Sequence, residues 1–200
     1  MSESRINKQI KFLYEVDKLK AINRATILGD KSRRENSAEH SWHVSLFALI
    51  FFEHAKPGVD LFKALKMLLI HDIVEIDAGD NPIFGTHDLY SISVTERKAA
   101  QRIFKLLPKD QALEMLDIWT EFEDSSTPTA QFARSMDRFQ GPNQNLMSGG
   151  GTWIEYNVKY DQIEKKVGSK IALGAPRLWD WLKPKLQEFL YSKTNRTKEK

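Results

Sequence analysis

The chain has 200 residues, 41% of them hydrophobic, and contains no cysteine. That length supports one well-filled core, and the lack of thiols excludes disulfides and thiolate metal sites, leaving His, Asp and Glu as metal ligands. The formal charge of +3 equals that of the last eight residues, KTNRTKEK, so the body is neutral and lacks the broad positive footprint of a nucleic-acid binder.

A membrane-spanning helix needs roughly 20 apolar residues, whereas the longest strongly apolar run, VSLFALIFF at 44–52, has nine. The N-terminal MSESRINKQIKFLYEV scatters charges among its apolar positions and lacks the apolar block of a signal peptide. A soluble, cytoplasmic protein is expected.

Nearly every segment between breakers has helical periodicity. Ile6, Ile10, Leu13, Val16 and Leu19 recur at steps of three or four and predict a first helix. Ser37, followed by Glu39 and His40, predicts the start of a second helix over 37–55, closed by Pro57-Gly58. A third is expected from Leu61 to Ile76, stopped by Gly79 to Pro82, and a loop containing His87 follows. Val94 to Leu107 and Ala112 to Phe122 predict two more, divided by Pro108. Pro128 suits the first turn of a helix over 129–140, which Gly141-Pro142 should end.

Beyond the glycines at 149–151, read as a flexible turn, come a periodic stretch from Ile154 to Val167 and a helix from Arg177 to Tyr191, kinked or divided at Pro184. Trp179 and Trp181 on it read as core or dimer packing. There is no hairpin dipeptide and no internal repeat. The class is all-α, a single-domain helical bundle over 1–191 with a basic, disordered tail at 192–200.

The stretch LLIHDIVEIDAGDNP, residues 68–82, places His71, Asp72 and Glu75 in what begins as a core helix. Burying such groups without partners costs several kcal/mol, so they need a compensating ligand. On a helix Glu75 lies one turn beyond both others, and His71 and Asp72, about 100° apart, can reach one ion between them. Two further ligand candidates are His40, within RRENSAEHSWH, and Asp137, within FARSMDRFQ. Two imidazoles with two carboxylates suit one divalent transition metal, namely Mn, Co, Fe, Ni or Zn.

The order His40, His71-Asp72, Asp137 resembles the HD-domain metal-dependent phosphohydrolase superfamily. LKAINR (19–24), ENSAEH (35–40) and HDIVEIDAGD (71–80) resemble its 5′-deoxynucleotidase branch. The likeness covers roughly residues 8 to 145. It implies His40, His71, Asp72 and Asp137 as metal ligands, Glu75 as the catalytic carboxylate, Asp80 as a second acidic pocket group, and Arg24 as the phosphate-binding cation, with Arg33 or Arg34 assisting. It also implies a homodimer. The branch carries a tryptophan beside that arginine where this chain has Ala25, which leaves ribose against deoxyribose open; Trp42 is a candidate for part of that role. One metal is expected, because His87 is the lone histidine between the HD pair and Asp137. His43 is assigned to the pocket or core, His54 to the surface, and Asp77 to solvent.

The resemblance implies hydrolysis of (deoxy)nucleoside 5′-monophosphates by metal-activated water, with Glu75 as base and Arg24 on the phosphate. Rival readings are a phosphodiesterase acting on a cyclic or signalling nucleotide and a non-catalytic, metal-containing nucleotide-binding module.

Overall fold

The computed structural model describes residues 3–198, with side chains described through residue 192. Helix α1 (Arg5–Val16) starts at Ser4, whose hydroxyl accepts from Asn7 N, and runs into a 3-10 turn at Asp17–Ala21. The chain then forms an antiparallel hairpin, β1 (Asn23–Ile27) and β2 (Arg34–Asn36), pairing Asn23 with Asn36 and Ile27 with Arg34. This hairpin is an addition to the elements expected from the sequence, within a fold that is otherwise helical as expected. Its turn is held by Leu28 N to Arg33 O at 2.9 Å, with Lys31 at φ 65°. The strands are short and mostly polar, so no alternating apolar pattern announces them.

Helix α2 (Ser37–Phe51) is capped by Asn36 and not by Ser37: Asn36 Oδ1 accepts from Glu39 N at 2.9 Å, and Glu39 Oε2 accepts from Asn36 N at 3.1 Å. That reciprocal box satisfies two donors that a helix start leaves open. Ser37 is freed to reach into the interior. After α3 (Leu61–Ile70) the α-helix tightens into a 3-10 turn at His71–Val74 and resumes as α4 (Glu75–Ala78), ended by Gly79 at φ 72°. The expected helix from Leu61 to Ile76 is thus three pieces, and the His-Asp step sits in its tightest one.

Helix α5 (Leu89–Phe104) begins five residues earlier than expected, because Asp88 caps it through Tyr90 N. Helix α6 (Lys109–Asp124) follows Pro108. Helix α7 (Pro128–Met147) is capped by Thr127 and passes straight through Gly141-Pro142, which were expected to end it. Proline removes one intrahelical donor, and here α7 is buried among its neighbours, while Asn143 Nδ2 donates to Phe139 O at 2.7 Å. Glycines 149, 150 and 151, at φ 77°, 118° and 40°, break the chain as expected.

The remaining elements are α8 (Gly151–Glu155), α9 (Tyr160–Ile163), a π turn at Glu164–Gly168, α10 (Ser169–Gly174) and α11 (Pro176–Lys198), which continues past Pro184. The expected tail boundary at 192 falls inside α11, and the side chains from 193 onward lie outside the described residues. The bundle is organised around α7. Phe132, Met136 and Phe139 are buried on it as the periodicity predicts, and Phe139 packs on Phe51 of α2 and Trp181 of α11 with ring centroids 5.6 and 6.0 Å apart. The fully buried Phe132 and Phe139 each contribute about 1.5–3 kcal/mol by burial. Trp179 is likewise core.

Candidate metal centre

Three elements bring the four expected ligands to one buried point. His40 comes from the second turn of α2, where the Asn36 cap fixes the helix entry. His71 and Asp72 come from the 3-10 turn after α3, and Asp137 from the middle of α7. Nε2 of His40 lies 3.1 Å from Asp137 Oδ1 and 4.0 Å from Asp72 Oδ2. Nε2 of His71 lies 3.1 Å from Asp72 Oδ1 and 3.8 Å from Asp137 Oδ1. Donor atoms of His40, His71 and Asp72 fall within 4.8 Å of one another.

The histidine tautomer follows from its surroundings. His71 Nδ1 donates to Leu68 O at 2.8 Å, which turns the Nε2 lone pair toward the carboxylates, where it has no hydrogen-bond partner among the described residues. Burial lowers the pKa of His71, outweighing Asp72 and Asp137, so it is neutral and able to ligate. For His40, burial and Arg24 oppose the charge, but Asp137, Glu35 and Asp72 outweigh them and raise its pKa to about 9. An ion binding there displaces that proton. Burial also works against the Asp137 carboxylate, yet Arg138, His40 and His71 hold it well below the usual range.

A buried polar atom without a partner costs about 1–3 kcal/mol, and His71 Nε2, His40 Nδ1, Glu35 Oε2 and Arg24 Nε are all in that condition among the described residues. An N,O donor set so arranged fits a divalent transition metal, with the Leu68 carbonyl orienting one imidazole from behind. Asp137 and Asp72 supply the anionic charge.

Around this point stand the groups expected to handle substrate. Glu75 starts α4 and accepts from Ser37 Oγ at 2.5 Å, while burial and Asp72 push its carboxyl well above the ordinary range against the pull of Arg24. Arg24, on β1, donates to Asp72 Oδ2 at 2.6 Å, and its NH1 lies 3.7 Å from both Glu75 Oε1 and Asp80 Oδ1. Asp80 Oδ2 accepts from Ala25 N at 3.1 Å. These groups form the floor of a cavity of about 540 Å³ that Ala25 and His87 also line.

The sequence profile described as HD domain matches residues 16–179. This chain belongs to the HD-domain family. Membership of the HD-domain metal-dependent phosphohydrolase superfamily, expected from the motif order, is borne out, as is the helical class. A solved structure from Magnetospirillum magnetotacticum MS-1, described as a predicted metal-dependent phosphohydrolase, is 43% identical, covers 94% of this chain and 97% of its own, and superposes with a TM-score of 0.89. The human protein named 5′-deoxynucleotidase HDDC2 is 24% identical over 130 residues, 64% of this chain and 62% of its own length. Its mouse counterpart is 23% identical over 160 residues, 80% of this chain and 73% of its own. The present chain therefore spans somewhat under two thirds of the human relative it matches. Among the described residues no helix is long and apolar enough to cross a membrane.

Two residues expected at the HD-domain site lie elsewhere. Arg33 is exposed and makes a two-pronged pair with Glu39 at 2.6 and 2.8 Å, bracing the α2 cap and not lining the cavity. Trp42 is 61% exposed and also off the lining, because two residues beyond His40 is about 200° around the helix. Arg34 is engaged with Ala25 O and Glu155. Asp77, assigned to solvent, is exposed and pairs at the surface with Arg102 at 2.5 and 2.7 Å. His43 packs edge-on to Phe47 with a 3.3 Å contact to Gln140.

Glu35 was missed. It is 1% exposed, stands 3.5 Å behind His40 Nδ1, and accepts from Gln140 Nε2 at 2.9 Å. A glutamate in the polar run RRENSAEH carries no apolar periodicity to mark it as buried. Also missed were Arg134, Arg138, Lys165, Lys166 and Lys170, which line the cavity from α7, the π turn and α10.

Proposed function

We propose that this protein is a metal-dependent phosphomonoester hydrolase that releases phosphate from nucleoside or deoxynucleoside 5′-monophosphates. The observation that carries this reading is the buried His40, His71, Asp72 and Asp137 cluster at the foot of a cavity whose floor also holds Glu75, Asp80 and Arg24. The names of the relatives support it. When bound, a divalent ion would supply Lewis acidity toward water and toward a phosphoryl oxygen.

The chain's own groups do the rest. Glu75 takes the proton of the attacking water, a role suited to a buried carboxyl whose proton affinity burial and Asp72 raise well above that of an ordinary glutamate. A new O–P bond forms as the bond from phosphorus to the 5′-oxygen breaks, and the proton passes to that oxygen, leaving nucleoside and phosphate. Arg24 neutralises charge on the phosphate oxygens. Asp80, whose carboxylate accepts from the Ala25 N–H, orients the sugar.

Phosphate release should be measured on ribo- and deoxynucleoside monophosphates after chelation and reloading with Mn or Co. Release that depends on added metal supports the reading; none across the whole panel removes it. Turnover of cyclic nucleotides alone would favour a phosphodiesterase, and tight nucleotide binding without product a non-catalytic module.

The same reading includes a homodimer through α2. Trp42, Leu46, Leu49 and Ile50 leave one face of that helix apolar and 37–69% exposed, and a helix apolar on all sides is ordinarily covered. Sedimentation at micromolar concentration should give twice the chain mass, and W42D/I50D should return it to the monomer.

A further inference from the structure

The floor of the cavity and its mouth have opposite electrostatic character. At the floor, Arg24 is compensated by Asp72, Glu75, Asp80 and Glu35, all within 3.7 Å. Toward solvent the lining turns basic, with Arg134, Arg138, Lys165, Lys166 and Lys170 facing Glu96 and Glu123. Two of these cations are committed. Arg134 pairs with Glu123 at 3.1 Å and lies over the Phe122 ring, and Lys166 donates to Ile83 O at 2.9 Å beside Phe84.

A third, Arg138, is only part-exposed and stands 3.7 Å from Asp137 Oδ2, a carboxylate it helps keep ionised. Lys165 and Lys170 are exposed and have no ion pair among the described residues. Two available cations at the mouth exceed what a phosphate seated on the buried floor could engage. The cavity, at about 540 Å³, is of a size that holds a whole nucleotide. With the 5′-phosphate on the floor, the nucleoside projects outward, and a second anion carried by its ribose meets the basic mouth.

We propose that Lys165 and Lys170 form a second phosphate subsite, which makes nucleotides bearing a further phosphate on the ribose, such as nucleoside 3′,5′-bisphosphates, the preferred substrate class. This rests on the 5′-nucleotidase reading above. Two charge-assisted contacts that one phosphate cannot make separate the bisphosphate from the monophosphate, and their strength falls with added salt.

The test compares adenosine 3′,5′-bisphosphate with adenosine 5′-monophosphate on the full-length, metal-loaded protein. The bisphosphate should show a kcat/KM at least about tenfold higher, expressed mainly in KM, with adenosine 3′-monophosphate as product. K165A/K170A should bring that ratio close to one, and K165R/K170R should restore it. A ratio near one in the wild type, or an equal loss on both substrates in K165A/K170A, overturns the subsite. Release of the 3′-phosphate instead overturns the orientation on which it depends. If neither compound is hydrolysed, the nucleotidase reading fails separately, and calorimetry decides the subsite. Bisphosphate binding tenfold tighter than monophosphate, lost in K165A/K170A, sustains it, and equal binding overturns it.

Discussion

Glu75 is held by a hydroxyl that the helix cap releases. Because Asn36 takes the capping role, Ser37 Oγ is free to donate to Glu75 Oε2, and the carboxylate keeps Oε1 turned toward Arg24 at 3.7 Å. Replacing Glu75 by Gln keeps the shape and removes the base, so kcat should fall by about 10²–10⁴-fold with metal content unchanged. Activity that survives this change assigns the proton transfer elsewhere. His71 differs in kind, since its lone pair is presented by the Leu68 carbonyl behind it. H71A should purify without stoichiometric metal by elemental analysis. It should also lose the rise in Tm that added Mn or Co gives a protein whose folded state alone binds the ion.

Elements set how accurately those side chains meet. The 3-10 turn at His71–Val74 is tighter than an α-helix, and it turns two consecutive side chains toward the candidate metal centre while passing Glu75 to a fresh helix start. Helix α7 must carry Asp137 past α10, where a Cβ on Gly174 would come within 2.1 Å of Gln131 O. No flexible side chain stands there to yield. G174A should therefore cost about 1–3 kcal/mol, or roughly 2–4 °C in Tm for each kcal/mol in a chain of this size, measured by thermal denaturation. An unchanged Tm means the two helices separate more easily than their packing indicates.

At the scale of the whole molecule, the cavity gathers charge from elements far apart in sequence, and its stability should register that. Burial, then Glu123 and Asp72, push the Glu96 carboxyl up to about 7 against Arg134 and Arg138. The folded value lies above the unfolded one, so the contribution of Glu96 to stability is whole below about 4.5 and is lost as pH rises through about 7. Glu96 is part-exposed, which limits the effect to roughly 1–2 kcal/mol. E96Q should match the wild type near about pH 5 and exceed it by that amount near about pH 8, read by denaturant unfolding. An equal difference at both pH values removes the charge as its cause.

The helices and the order of the candidate ligands were legible in the sequence, because burial of one helix face imposes a period of three to four and because His71-Asp72-x-x-Glu75, with His40 before it and Asp137 after, is a pattern carried by residue type. Gly141-Pro142 misled, since a proline ends a helix only where neighbours do not support it, and α7 is supported on its other sides. Arg33, expected to assist Arg24, and Trp42, a candidate for the tryptophan role, lie off the cavity lining, because the direction of a side chain depends on its angle around the helix and on which carboxylate reaches it first. Glu35 and the lysines at 165–170 belong to the site through folding alone. By itself the sequence determined which residues could bind a metal and the helices that carry them; the tertiary structure decided which of them meet and what charge surrounds them, because electrostatic energy depends on distances that only the packed helices set.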